Sequence, residues 1–369
     1  ILEKRNTLQS WTVLLSILTF ALSLIGTFLV RSGILNSVHA FASDPSRGLF
    51  ILAFLLIVLI ASLFIFARKG PFLDKEIKYH LLSRETGILV NNWLFLTVLF
   101  IVFLGTVYPI FTDIVLNENI TVGPKYYIFS ITPIIFLFIF AMIITPYLNW
   151  STNNYKILIQ KIYKPILLSV MLIFSLSLYF DKLSITEISL LILSSILIMA
   201  NLNSNILFKN NSFYLTSNIG RALTHAGFAL LIISIIANAS YAKEKITQAK
   251  VDDKIIVGNY DFIFSSISQE KEKNYHKIIA NFEMQQHSGT LKKLSPEIRF
   301  YNNPPTITSE TSIARMLFRD IYIVMNVPEN QEFINVRIHI KPFMNFIWIS
   351  ILMMMIGGLF SISYRIKNS

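Results

Sequence analysis

Between Arg221 and Lys243 the chain carries no Asp, Glu, Lys or Arg, and the stretch Ala222-Leu-Thr-His-Ala-Gly-Phe-Ala-Leu-Leu-Ile-Ile-Ser-Ile-Ile-Ala-Asn-Ala-Ser-Tyr241 is largely apolar. About 20 such residues are what a helix needs to cross a bilayer. Seven more apolar runs lie at about 11–30, 49–67, 88–111, 126–149, 165–180, 184–200 and 343–364, and the run containing Ala222 extends over 217–239; apart from Glu187 and Arg221 they are uncharged. Inside lipid every backbone N–H and C=O must be paired within its own segment, so each run must be helical despite its many β-branched residues. The run at 165–180 is the weakest by length, bounded by Asp181 and Lys182. Hydrophobic residues make up 54% of the chain and charged residues 14%, against about 25% charged in soluble domains. The expected fold is a polytopic α-helical membrane protein of about eight transmembrane helices.

Lys and Arg counts orient the bundle. One set of connections holds Lys4 and Arg5, then Arg68, Lys69, Lys75, Lys78 and Arg84, then Lys156, Lys161 and Lys164, and finally Arg365 and Lys367; the opposite set holds Arg31, Arg47, Lys125 and Lys182. The asymmetry places both termini in the cytoplasm. It also makes the net charge of +11 mostly a property of the cytoplasmic face. The basic residues neither cluster on one soluble segment nor interleave with exposed aromatics, so nucleic-acid binding is not expected. There is no cysteine, hence no disulfide framework and no thiolate metal site.

One connection is large. Residues 240–342 form an outer segment with alternating runs such as Tyr260-Asp-Phe-Ile-Phe-Ser-Ser-Ile267, His276-Lys-Ile-Ile-Ala-Asn-Phe-Glu-Met284 and Phe333-Ile-Asn-Val-Arg-Ile-His-Ile340. Period-two alternation broken by Gly258-Asn259, Ser288-Gly289 and Asn303-Pro-Pro305 predicts short strands. Pro304-Pro305 followed by Ser309-Glu-Thr-Ser-Ile-Ala-Arg-Met316 predicts one short helix among them. The domain plan is a helical bundle over 1–239, a β-rich extracytoplasmic domain over 240–342, and a last span with its cytoplasmic tail over 343–369.

The chain has six histidines and no HExxH, GxSxG, P-loop or GxGxxG pattern, so hydrolase and nucleotide-binding readings lack a motif. His80, His276 and His287 lie in polar surroundings. His339, just ahead of Lys341-Pro-Phe343, is placed to snorkel at the membrane interface. An ionisable residue within a span is a functional candidate by default, so His225 is either a ligand or proton relay, or a neutral imidazole bonded to a neighbouring helix. Gly220, Thr224 and Gly227 give its helix a small-residue face for a flat macrocycle or for another helix. His39 follows the first span in an apolar stretch flanked by Arg31 and Arg47. An apolar surface, a neutral imidazole and cations for propionates are what a haem requires; the alternative is an arginine-anchored helix end and an Asp44-Pro45 turn.

The stretch Val30-Arg-Ser-Gly-Ile-Leu-Asn-Ser-Val-His-Ala-Phe-Ala-Ser-Asp-Pro-Ser-Arg-Gly48 closely resembles the CcmF family, the haem lyase subunit of System I cytochrome c maturation. The resemblance continues through Ser83-Arg-Glu-Thr-Gly-Ile-Leu-Val-Asn-Asn92, Leu104-Gly-Thr-Val-Tyr-Pro109, Ile120-Thr-Val-Gly-Pro124, Gly220-Arg-Ala-Leu-Thr-His-Ala-Gly227, Pro296-Glu-Ile-Arg-Phe-Tyr301 and Arg319-Asp-Ile-Tyr-Ile-Val324. It implies that His39 is an axial ligand of haem delivered by the chaperone CcmE, with Arg31 and Arg47 as propionate contacts. It implies that His225 is one of two histidines holding a resident haem b that reduces the incoming haem. The reaction implied is addition of apocytochrome c thiols across the haem vinyl groups, with CcmH-type proteins presenting the apocytochrome. The implied location is the bacterial (or mitochondrial) inner membrane, with residues 240–342 periplasmic and the spans in contact with membrane lipid.

The family also carries a tryptophan-rich (WWD) haem-binding loop, whereas Trp11, Trp93, Trp150 and Trp348 are isolated here. The chain opens on Ile1 without a signal-like region. It is therefore expected to be the C-terminal part of a lyase, needing a complementary N-terminal segment or chain that brings the WWD loop and the second histidine of each haem. Two other readings of the residues are a polytopic transporter or haem export component and a non-catalytic scaffold for the maturation complex. No repeat between the halves supports the former.

Overall fold

The structure, a computed structural model, describes residues 8–32, 45–73, 80–118, 120–150, 155–177, 182–202, 217–286, 291–327 and 333–367. These form eight α-helices: α1 (Gln9–Arg31), α2 (Pro45–Lys69), α3 (Arg84–Phe111), α4 (Pro124–Ile144), α5 (Tyr155–Ser177), α6 (Ile185–Leu202), α7 (Ser217–Tyr241) and α8 (Met344–Lys367). All but α6 include a stretch long and apolar enough to cross a membrane. The 18 residues of α6 reach about 27 Å at 1.5 Å per residue, a little less than the roughly 30 Å of bilayer hydrocarbon. The shortest helix is thus the sixth, whereas the apolar runs alone mark the fifth as weakest. Helix α5 gains its length by starting ahead of its run and taking in Lys156, Lys161 and Lys164, whose stems can lie along the helix while the amines reach water.

The chain divides into two units, residues 1–141 with 145–155 and residues 142–144 with 156–369. In the first, α1 and α2 form a hairpin whose ends meet closely: a Cβ on Gly48 would lie 2.8 Å from the Ser32 Cα. Trp11 and Trp93 meet edge to face with centroids 5.3 Å apart. Ser83 caps α3, its Oγ accepting from the Thr86 amide at 3.2 Å, as an N-cap serine should. Next to it, the Arg84 amide donates to Asn149 O at 2.9 Å, its guanidinium donates to Pro146 O at 3.2 Å, and the same group lies over the Trp150 ring. The start of α3 is thereby tied to the segment that follows α4. Many large apolar side chains of the helices are exposed, Phe50, Ile57 and Phe64 of α2 among them, as expected where the surrounding solvent is lipid.

In the second unit α7 and α8 are linked by a β-sandwich. Its strands are β1 (Lys243–Ala249), β2 (Lys254–Val257), β3 (Tyr260–Lys271), β4 (Tyr275–Gln286), β5 (Lys292–Leu294), β6 (Glu297–Asn302), β7 (Pro305–Glu310), β8 (Ser312–Met316), β9 (Arg319–Met325) and β10 (Ile334–Pro342). One sheet has the order β1-β10-β9-β8; the other runs β2-β3-β4-β6-β7, with β5 also paired to β4. All pairings are antiparallel. Alternate residues fill the space between the sheets: Phe262, Phe264, Phe282 and Met284 from one side, Ile321, Ile323, Ile338 and Val336 from the other. Phe264 and Phe282 stack at 4.8 Å between centroids. Gly258, at φ 61°, supplies the left-handed residue of the β2–β3 turn. The Ser288-Gly289 turn lies outside the described residues.

Two sequence expectations are corrected. The short helix predicted after Pro304-Pro305 is absent; residues 305–310 and 312–316 are β7 and β8. The β-branched Thr306-Ile-Thr308 suits a strand, and both segments find ladders, β7 against β6 and β8 against β9. His339 does not snorkel. It is 7% exposed, stacked on Tyr322 at 4.5 Å and placed opposite Glu244 in the β1–β10 ladder.

Candidate functional site

Helix α7 carries His225, and its packing decides which directions the imidazole can take. The α7–α8 seam is built from small residues at three-to-four spacing. A Cβ on Gly220 would lie 2.6 Å from Gly357 O, one on Gly357 would lie 2.6 Å from Gly220 O, and one on Gly227 would lie 2.8 Å from Ser350 O. Thr224 Oγ1 donates to Gly220 O at 2.9 Å and Ser350 Oγ to Ile347 O at 2.6 Å, so these hydroxyls bond within their own helices. Small residues let the backbones approach where lipid gives no hydrophobic drive to association. The face that the sequence leaves open to a macrocycle or a helix is therefore taken by a helix.

His225 follows Thr224 and is turned about 100° from it by the helix geometry, out of that seam. The residue is half-buried, and its buried Nδ1 finds no hydrogen-bond partner among the described residues. Buried polar nitrogens without partners are uncommon and call for an explanation such as a missing ligand. Arg221 stands one turn earlier on the same side, the i to i+4 relation; the sequence reading treats it only as the boundary of the apolar run. Farther along, near its C-terminal end, α7 meets α6, where Ser240 Oγ donates to Glu187 Oε1 at 2.8 Å.

His39 lies outside the described residues. Arg31 is the last residue of α1 and Arg47 the third of α2, and both are exposed. Because Ser32 and Gly48 are in close approach, the two arginines stand at the same end of the α1–α2 hairpin, on either side of the segment that holds His39. No group of three or more His, Cys, Asp or Glu placed to hold a metal ion occurs among the described residues.

A second ionisable cluster lies on the outer face of the β1-β10-β9-β8 sheet. Arg337 Nε donates to Glu244 Oε1 at 2.5 Å, and this bond holds the Glu244 carboxyl below the usual carboxylate range. His339 Nδ1 is 3.8 Å from Glu244 Oε2. Burial holds its imidazole below the ordinary histidine value, with Arg337 and Lys341 acting in the same direction and Glu244 against them.

The β-sandwich matches a family model, the CcmF C-terminal beta-sandwich, over residues 240–342. Beyond it, the cytochrome c-type biogenesis protein CcmF of Pseudomonas aeruginosa is 32% identical over 99% of this chain, and that of Haemophilus influenzae is 33% identical over 97%. Over nearly its whole length the chain is similar to CcmF proteins. It spans 57% and 56% of the length of those two relatives and 56% of the Escherichia coli CcmF, with which it shares 30% identity. A solved structure of cytochrome c heme lyase CcmF has the same fold, with a TM-score of 0.73 over 97% of this chain and 55% of that one, at 18% identity.

Several stretches that resemble CcmF now have physical roles. Ser83-Arg-Glu-Thr-Gly87 forms the cap and anchor of α3. Gly220-Arg-Ala-Leu-Thr-His-Ala-Gly227 contains the α7 half of the seam with α8, and Arg319-Asp-Ile-Tyr-Ile-Val324 forms most of β9, an inner strand of its sheet.

Proposed function

We propose that this chain is the part of a CcmF-type haem lyase that supplies one histidine to each of two haem sites. In this reading it works as a helical bundle over 1–239, a periplasmic sandwich over 240–342 and a last span over 343–369, in the bacterial inner membrane with both termini cytoplasmic. His225 would hold a resident haem b together with a second histidine from an N-terminal complement carrying the tryptophan-rich loop. When bound, a haem b supplies a one-electron redox centre in the membrane. The protein's own contribution is to place a neutral imidazole in a low-dielectric helix bundle, with α8 closing the opposite face of α7. His39 ligates substrate haem handed over by a CcmE-type chaperone, and Arg31 and Arg47 hold its propionates at the end of the α1–α2 hairpin. The apocytochrome c, presented by CcmH-type partners, brings the thiols, which agrees with a chain that has no cysteine.

The observation that carries the proposal is the buried ring nitrogen of His225, which has no hydrogen-bond partner among the described residues, in a chain alignable nearly end to end with CcmF relatives. The test is an optical spectrum of membranes holding this chain with its N-terminal complement. His225→Ala is expected to lose or loosen a low-spin b-type haem, and His225→Gly with imidazole to restore part of it. An unchanged spectrum in His225→Ala would remove His225 from the haem site. Stoichiometric low-spin haem on this 369-residue chain alone would contradict the shared ligation.

A further inference from the structure

The turn between β8 and β9, Met316-Leu-Phe-Arg319, is joined directly to the first residues of a membrane span. The Phe343 amide donates to Phe318 O at 2.7 Å, and Asn345 Nδ2 donates to Met316 O at 2.5 Å. The Phe318 ring packs on Phe343 and Phe346, with centroids 6.3 and 5.7 Å away. Phe343 itself is held at φ 57°, a left-handed conformation that a bulky residue rarely adopts, so the chain enters α8 through a fixed corner. These contacts set the turn at the depth where α8 begins.

At that depth the turn presents apolar surface. Leu317 is 64% exposed and Phe318 53%, and Trp348, one turn into α8, is 59% exposed. Neither tip residue is charged; Arg315 beside them is exposed, and Arg319 lies over the Tyr260 ring at 5.9 Å. Asp320 Oδ1 accepts from Asn345 Nδ2 at 3.4 Å. Beside the turn is a cavity of about 450 Å³ whose walls include Arg315, Tyr322, Met344 and Trp348. Aromatic rings with a polar edge, together with flanking cations, are the residue set found at membrane–water interfaces.

We infer that the β8–β9 turn is a membrane-docking element: Leu317 and Phe318 enter the outer part of the lipid leaflet on the side that carries the sandwich. The partner is the bilayer itself, because the turn is hydrogen-bonded to a span that must begin at the bilayer surface. The sandwich is then held at three points, α7, α8 and this turn, which fixes its tilt over the membrane. This inference rests on the fold and holds whether or not His225 binds haem.

The absence of native cysteine makes the test clean. Single substitutions Leu317→Cys, Val327→Cys and Leu352→Cys in the full chain are labelled with a nitroxide and reconstituted into phospholipid vesicles. Collision with oxygen, which concentrates in lipid, is compared with collision with a water-soluble nickel chelate. Val327 is 43% exposed and follows β9 at the opposite end from the turn, roughly 30 Å away at about 3.3 Å per residue; Leu352 is 51% exposed on α8. The oxygen-to-nickel ratio at Leu317 is expected to be several-fold above that at Val327 and to approach that at Leu352. A ratio equal to that at Val327 would overturn the inference and leave a protein partner as the occupant of this surface.

Discussion

Replacing Gly357 by alanine tests the α7–α8 seam most directly. The added methyl would lie 2.4 Å from Thr224 Oγ1, 2.6 Å from Gly220 O and 2.7 Å from Thr224 N, where carbon contacts ordinarily settle at about 3.5–4.0 Å. Two of the three obstacles are backbone, so relief requires the helices to part by roughly an ångström, a large shift for an interior packed at crystal density. Overpacking of this kind costs about 1–3 kcal/mol, and the rigid obstacles argue for the upper end. Removing a glycine from a helix interior returns about 1 kcal/mol. The net is a loss of about 2 kcal/mol, or roughly 30-fold in the folding equilibrium at 1.4 kcal/mol per decade. Gly358 is the internal control: a Cβ there meets nothing within 4 Å, so Gly358→Ala should be neutral or stabilising. Unfolding by SDS in mixed micelles, followed through loss of helical circular dichroism, measures both variants. Equal midpoints for Gly357→Ala and Gly358→Ala would refute the seam as described, and with it the orientation of His225 away from α8.

Two further outcomes are expected. His39→Ala, in cells that supply the complementary segment, should abolish cytochrome c assembly while leaving the resident haem spectrum intact; normal cytochrome c levels without added imidazole would return His39 to a helix-end role. The lowered His339 value makes the sandwich pH-dependent with a definite sign. Above the unfolded-state value of about 6.5 the imidazole is neutral in both states, and as pH falls below it the unfolded chain takes up the proton first, so stability declines toward the lower folded-state value. Thermal unfolding of the full chain at pH 7.5 and 5.5 should show this decline, and His339→Gln should reduce it; an equal decline in the variant would assign it elsewhere.

The spans were legible because lipid allows the backbone so few solutions that an uncharged run of sufficient length is nearly a structural statement. The partition of length between α5 and α6 was not, since Lys156, Lys161 and Lys164 look like loop residues until their helix is seen. In the sandwich, alternation located β3, β4 and β10, whereas residues 305–316 carried helix-like punctuation and became strands because β6 and β9 offered edges to pair with. The same locality hid the fate of the α7 small-residue face: Gly220 meets Gly357, more than 130 positions away, and no local pattern names that partner. Arg31 and Arg47 were readable as a pair around His39, and the Ser32–Gly48 approach gives a physical reason for them to share one end of the hairpin. Arg221 was overlooked because it ends a run; its four-residue spacing from His225 was the available signal.

The strands that join the sandwich to the membrane continue the helices that carry it. Lys243 and Ile340 pair at the base of the β1–β10 ladder, and Asn238 Nδ2 of α7 donates to Pro342 O at 2.8 Å, so entry and exit lie side by side above one tight helical pair. In engineering terms the sandwich is a cassette on a hairpin loop: cutting at Ala242 and Phe343 and splicing in a short turn leaves the α7–α8 pair with its own connection. The sandwich can thus be exchanged or removed without re-threading the α7–α8 pair.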